Sequence, residues 1–370
     1  MNDAEKLTGK VTENPEQKPK RWFYVAMSPG GTLSKSETDS STDVLETCTK
    51  AVIAWIDYVA WDSSDETSFK NEAFEAAKQL GFSEPFVSSF ITQPYLNYED
   101  LDTELGLKVP CVQVNQLNVE SLPLFLFLKK NFILTIHPSN VNRRFLRLRR
   151  YADPVLKKIP SEALPEDRLT ILLMRIIDHN NDRNFEHLRQ IEERGDKLNE
   201  SMIDPYTPRS KLGPEIYNMK HALINYLNAL WDTVDMLHSL RYGDAELITN
   251  DDKILEKLGI LVEETNSQIG LAEHMSEVLA SGLEVLQSIY NNQLQNLNNR
   301  LALIMTYLTI IGTAVLVPNT IATMLGNTVF DIGPKDLGWY LALIIGSTIV
   351  ATSLVYWWVK TRGWIPKKMD

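Results

Sequence analysis

Cysteine is nearly absent: Cys48 and Cys111 are the only two in 370 residues. They stand far apart and in no ligand spacing, so neither a disulfide framework nor a zinc motif is expected. Basic residues are in deficit, 37 Lys and Arg against 48 Asp and Glu, and the net charge of -11 argues against nucleic acid as a partner. There is no Gly-rich phosphate loop, nucleophile elbow or kinase signature. His137, His179, His187, His221, His238 and His274 are scattered, without the pairing of a catalytic zinc site. No enzyme and no resident cofactor are expected. Asp178, His179, Asp182 and His187 gather on one polar helix and read as a solvated face. Residues 1–20 are polar and charged with no apolar core, and read as a disordered tail rather than a signal peptide.

Charge is missing altogether from two stretches, 301–330 and 337–359. A helix needs about 20 apolar residues to cross a hydrocarbon core of about 30 Å, and both stretches qualify. The second ends in Tyr356, Trp357 and Trp358, followed by Lys360, Arg362, Lys367 and Lys368. An aromatic belt with a basic tail belongs at the cytoplasmic membrane interface. The connection 331–336 carries only Asp331, Lys335 and Asp336, with Trp339 and Tyr340 beyond it. It is therefore expected outside, with both termini in the cytoplasm. Two spans cannot enclose a pore, so any transport requires several copies around an axis.

The first stretch is not uniformly apolar. Steps of four and three from Asn292 reach Asn296, Asn299, Leu303, Thr306, Ile310, Thr313, Val317, Thr320, Met324 and Asn327, one helical line of amides and hydroxyls. Polar groups at membrane depth must face a neighbour or water. They either join helices or line a pore with neutral oxygens suited to hydrated metal ions.

The rest is α+β. Strands are expected at 22–27, 52–61 and 132–137, a helix at 68–80 and a mobile Gly/Ser/Thr-rich loop at 28–43. From Glu162 the pattern turns helical, with Leu169, Leu172, Leu173 and Ile176 at helical spacing and breaks at Pro205 and Pro208. A helix follows over 214–241. Another begins near Asp251 and meets no proline until Pro318, so one helix on the order of 100 Å could run from the soluble part into the first span. The divisions expected are a tail at 1–20, an α/β domain at 21–161, a long-helix stalk at 162–300, a first span with its outer mouth at 301–330, an outer loop at 331–336, a second span at 337–359 and a basic tail at 360–370.

Within this order, Leu308-Thr309-Ile310-Ile311, Pro318-Asn319-Thr320-Ile321-Ala322 and Ala54-Trp55-Ile56-Asp57 resemble the CorA family of magnesium and divalent-cation transporters over nearly the whole chain. The resemblance implies a CorA-like funnel, a homopentamer with the first spans inside, and a prokaryotic plasma-membrane location. It also implies a partly hydrated divalent cation, magnesium or zinc foremost, with cobalt and nickel open. The family's Gly-Met-Asn signature falls on Gly326-Asn327, without the methionine, so these two residues form the expected selectivity mouth. The stalk position where the family carries a regulatory Asp falls on Asn292. The nearby carboxylates Glu263, Glu264, Glu273, Glu277 and Glu284 read as a solvated face, so weak or absent magnesium gating is expected. The alternative function is a non-conducting membrane scaffold of the same architecture.

Overall fold

The structure, a computed structural model, describes residues 20–61, 65–160, 162–204, 206–326 and 333–362. The expected tail up to residue 19, Asn327, Lys367 and Lys368 lie outside these. Contacts divide the chain into two units, Met1–Gly282 and Leu283–Asp370.

The first unit is built on a mixed sheet. Its strands are β1 (Trp22–Met27), β2 (Leu33–Thr38), β3 (Ile53–Ala60), β4 (Tyr98–Leu101), β5 (Glu104–Asn115), β6 (Asn118–Lys129) and β7 (Phe132–Pro138). The spatial order is β2-β1-β3-β7-β6-β5-β4. Among the described residues only β3 and β7 pair in parallel, with Ile56 opposite Leu134. The remaining pairs are antiparallel. Alternate residues serve opposite faces. Tyr24, Ile56, Phe125, Phe127 and Leu134 face helices α1 (Ser41–Thr49), α2 (Glu66–Gln79) and α3 (Glu84–Thr92). Phe23, Val25, Trp55, Leu105, Leu126 and Ile133 face the other way. That second face is covered by residues of α4 (Asn142–Arg150), α5 (Ala152–Lys157), α6 (Pro165–Asn181), α8 (Arg209–Tyr242) and the start of α9 (Asp252–Leu325). Helix α7 (Asn184–Ile203) packs on α8 and β5. The first part of the expected stalk region thus packs with the sheet: Leu169, Leu172, Leu258 and Val262 share its core.

One expectation is corrected. The stretch 28–43 is not a loop, because β2 lies within it and pairs with β1 from Leu33 opposite Met27 to Thr38 opposite Trp22. It is an edge strand held by backbone bonds, with Ser34, Lys35, Ser36 and Glu37 exposed, so it carries no hydrophobic alternation to read. The stretch 98–129 forms β4, β5 and β6. Pro110 and Pro123 sit inside it and lie directly opposite each other. Pro110 lies past the last residue of β5 that β4 pairs, and Pro123 lies before the first residue of β6 that β7 pairs. Neither missing N–H breaks an outer ladder.

One charged cluster is buried in the sheet. Asp57 on β3 is fully enclosed. Its Oδ2 accepts from Arg149 Nε of α4 at 2.6 Å, its Oδ1 accepts from the Thr135 hydroxyl, and His137 Nε2 lies 3.4 Å away. Trp55 Nε1 donates to Thr135 Oγ1 at 3.1 Å, and the His137 ring stacks on Phe145 at 4.2 Å. Burial alone would raise the Asp57 pKa, yet Arg149, His137 and Thr135 together hold it well below the carboxylate range. A depressed carboxylate stabilises the fold above its unfolded pKa of about 4 and loses that contribution as pH falls below it. Removing one partner of a buried pair leaves an uncompensated charge, at a cost of about 3–5 kcal/mol. Arg149→Met is therefore expected to destabilise the chain by that amount in urea denaturation followed by tryptophan fluorescence. Asp57→Asn combined with Arg149→Met should recover part of the loss. A single variant within about 1 kcal/mol of wild type would remove the pair from the account.

Candidate functional site

The second unit contains the last part of α9 and α10 (Leu337–Thr361). Both helices carry stretches long and apolar enough to cross a membrane. On α9, Ile304, Leu308, Ile311 and Val315 form one row, each more than half exposed in the chain taken alone. Such a row is costly in water, at about 25 cal/mol per Å², and at home in hydrocarbon.

The opposite face of α9 carries the polar stripe. Thr306, Thr313 and Thr320 are seven residues apart, nearly two turns, so they share one line at intervals of about 10 Å. Each hydroxyl donates back into its own helix: Thr306 to the Ala302 carbonyl at 2.8 Å, Thr313 to Thr309 at 2.9 Å and Thr320 to Leu316 at 2.8 Å. Thr309 and Thr323 do the same towards Met305 and Asn319. A hydroxyl has one proton and two lone pairs. With the proton engaged by a carbonyl, the oxygen can only accept. The line can therefore contact a cation or take hydrogen bonds from its hydration water, and it has no hydroxyl proton left for an anion. Pro318 adds to this polarity, because it has no N–H for the carbonyl of Ala314 four residues earlier.

The structure exposes the stripe unevenly. Asn292, Asn296, Asn299, Thr320 and Met324 are exposed, Leu303, Thr306, Thr313 and Val317 are half-buried, and Ile310 is 8% exposed. On α10 the less exposed positions Ile344, Thr348, Ala351, Val355 and Val359 also fall at helical spacing. The middle of the stripe is thus partly covered within a single chain, while its two ends are open. Gly326 closes α9, its N–H bonding the Ala322 carbonyl at 2.9 Å. Its φ is not left-handed; glycine is favoured there because a Cβ would sit 3.0 Å from that carbonyl oxygen. At the far end of α10, the Lys360 ammonium lies 6.0 Å from the Tyr356 ring and the Arg362 guanidinium 5.8 Å from Trp358. Both are cation–aromatic contacts typical of membrane interfaces.

Sequence reasoning passed over two features. Thr309 and Thr323 flank the stripe and share its hydroxyl arrangement, and their signal was the three-residue step from Thr306 and Thr320. The expected single polar helix is divided: Asp178 and His179 lie on α6, Asp182 just past its end, and His187 on α7, where it is buried; Glu264 lies on α9, near Asp178 and Asp182. Burial, then Asp182, raises the Asp178 pKa, and burial, then Asp178 and Asp182, raises that of Glu264. Among the described residues, no three His, Cys, Asp or Glu side chains stand close enough to hold a metal ion within one chain.

A family model described as CorA-like Mg2+ transporter protein matches residues 53–361. The complete CorA magnesium transporter of Methanocaldococcus jannaschii superposes with a TM-score of 0.66 at 18% identity, covering 94% of this chain and 100% of that one. The full-length CmaX protein gives 0.56 at 16% identity, with 94% and 99% covered. The ZntB cytoplasmic domain of Vibrio parahaemolyticus gives 0.52 at 13% identity, with 74% and 99% covered. No curated protein sequence matches. The structural likenesses establish the fold, and the family model spans most of the chain: this is a membrane protein of the CorA-like Mg2+ transporter family.

Proposed function

We propose that several copies of this chain form a membrane pathway for divalent cations, magnesium or a transition metal such as zinc, cobalt or nickel. The observation that carries this reading is the line Thr306, Thr313 and Thr320, whose hydroxyl protons are all engaged by the helix's own carbonyls. A ring of such helices presents lone pairs to the axis and apolar rows to lipid. An ion that dehydrates reluctantly, as magnesium does, would pass such a wall with much of its water retained. The mouth is Gly326 and Asn327, and the ion is driven inward by a negative interior potential. Assembly is supported by Val285, Tyr290, Leu294 and Leu297, large apolar side chains 41–54% exposed on the part of α9 preceding the apolar stretch. A neighbouring α9 would cover them, and a pentamer is the arrangement proposed. Lys360, Arg362, Lys367 and Lys368 favour a cytoplasmic side for both termini, and the membrane proposed is a prokaryotic plasma membrane. Loss of the signature methionine favours a second reading, a non-conducting scaffold of the same fold.

Three measurements test this. Purified protein in liposomes is expected to pass magnesium, zinc, cobalt or nickel, and Asn327→Ala should abolish the flux while the oligomer stays intact. No flux for any ion through an intact oligomer would favour the scaffold. Cys48 and Cys111 are both fully buried, so single cysteines can be introduced without removing them. Thr320→Cys and Asn299→Cys should react with a charged thiol reagent, and Val315→Cys and Leu308→Cys should not. Equal reactivity on both faces would remove the stripe from the pathway. Finally, Asn292 where the family carries Asp points to weak gating. Protease digestion should proceed alike with and without millimolar magnesium, and strong protection would overturn that point.

A further inference from the structure

The tip of the β5–β6 hairpin, the start of α4 and the start of α7 enclose a cavity of about 320 Å³ that the ion pathway does not use. This size falls in the range of small-molecule sites, about 300–1,000 Å³. Three arginines line it, Arg143 and Arg144 from α4 and Arg183 from the residue before α7. Arg144 is held in place: its Nη1 donates to the Asn180 carbonyl at 2.9 Å, and its Nη2 to the Val112 carbonyl at 2.7 Å. Arg143 and Arg183 are exposed, and neither has an ion-pair partner among the described residues. Gln113 Nε2 donates to the Asn140 carbonyl at 3.0 Å and ties the hairpin tip to the turn before α4.

Two further observations point to an anion. Helix α7 begins at this cavity without a side-chain cap, so its first N–H groups and positive dipole end are available there. His187 also lines the cavity. It is 7% exposed, and its Nδ1 is buried without a hydrogen-bond partner, an unfavourable position for a polar atom. Burial, with Arg144 and Arg183 nearby, pushes the His187 pKa down to about 4. At neutral pH the ring is therefore uncharged and free to donate one N–H. Glu120 is the single carboxylate among the lining residues; it is exposed and accepts from Asn118 Nδ2 at 2.7 Å.

We propose that this cavity binds a phosphate-bearing anion, with the Arg143 and Arg183 guanidinium groups and the His187 ring as its donors. A phosphate presents several acceptor oxygens in different directions, which suits guanidinium forks arriving from two helices. The volume suits a chain of phosphates better than one. Occupancy would link the first turn of α7 to α4 and to the end of the sheet.

The test is calorimetric titration of the detergent-solubilised full chain, in excess chelator, with inorganic phosphate, pyrophosphate and ATP. Saturable binding is expected for at least one. The double variant Arg143→Ala, Arg183→Ala should weaken it at least about tenfold, the equivalent of 1.4 kcal/mol. Arg147→Ala, an exposed charge on α4 outside the cavity, should change it less than about twofold, well under that 1.4 kcal/mol. Glu120→Gln should bind as tightly as wild type or tighter. ATP and pyrophosphate binding together would identify a phosphate chain as the recognised element, ATP alone a nucleotide, and phosphate alone the free ion. No saturable binding of any of the three would overturn the proposal, as would a double variant that binds like wild type.

Discussion

Hydrocarbon offers no partner to a backbone N–H or C=O, and this constraint shapes the second unit. It keeps the apolar end of α9 helical up to Leu325, and it gives the threonine hydroxyls somewhere to donate. In water a threonine bonding its own i−4 carbonyl competes with solvent and gains little. In a span, the same bond is the available way to satisfy the proton, and it turns a row of threonines into a row of acceptors. The acceptor line thus arises from backbone chemistry and helical period, with no fixed charge in the span.

The soluble unit solves the opposite problem. Its sheet is covered on both faces, so any charge within it must be compensated on the spot. Asp57, Arg149, His137 and Thr135 do this with side chains drawn from β3, β7 and α4. The arrangement specifies which strand lies beside which, since β3 and β7 are the parallel pair at the centre of the sheet. A register slip of one residue would turn Asp57 to the other face, among Phe125, Phe127 and Leu134. At the end of the sheet, by contrast, three arginines stand against one carboxylate around His187. In a chain of net charge -11, that local excess of cations stands out.

Some of this was legible in the chain of residues. Two charge-free stretches, the seven-residue threonine spacing and the aromatic-basic ending are local patterns, and the physics behind each acts over a few turns of helix. Strands with a continuous apolar run, such as Trp22–Met27, were equally legible. Strand β2 was hidden because an edge strand depends on its neighbour's backbone rather than on its own side chains. The hairpin β5–β6 was hidden because its prolines read as breakers until their open-edge positions are known.

The sequence by itself determined the membrane spans, the polar stripe and the family, because hydropathy and helical period are properties of neighbouring residues. The tertiary structure alone decided that Arg149 meets Asp57 across 92 positions. It alone decided that Glu264 comes near Asp178, and that Arg143, Arg183 and His187 share one cavity. Those juxtapositions depend on how the helices close over the sheet, and no local pattern encodes a distance between segments that pack only after folding.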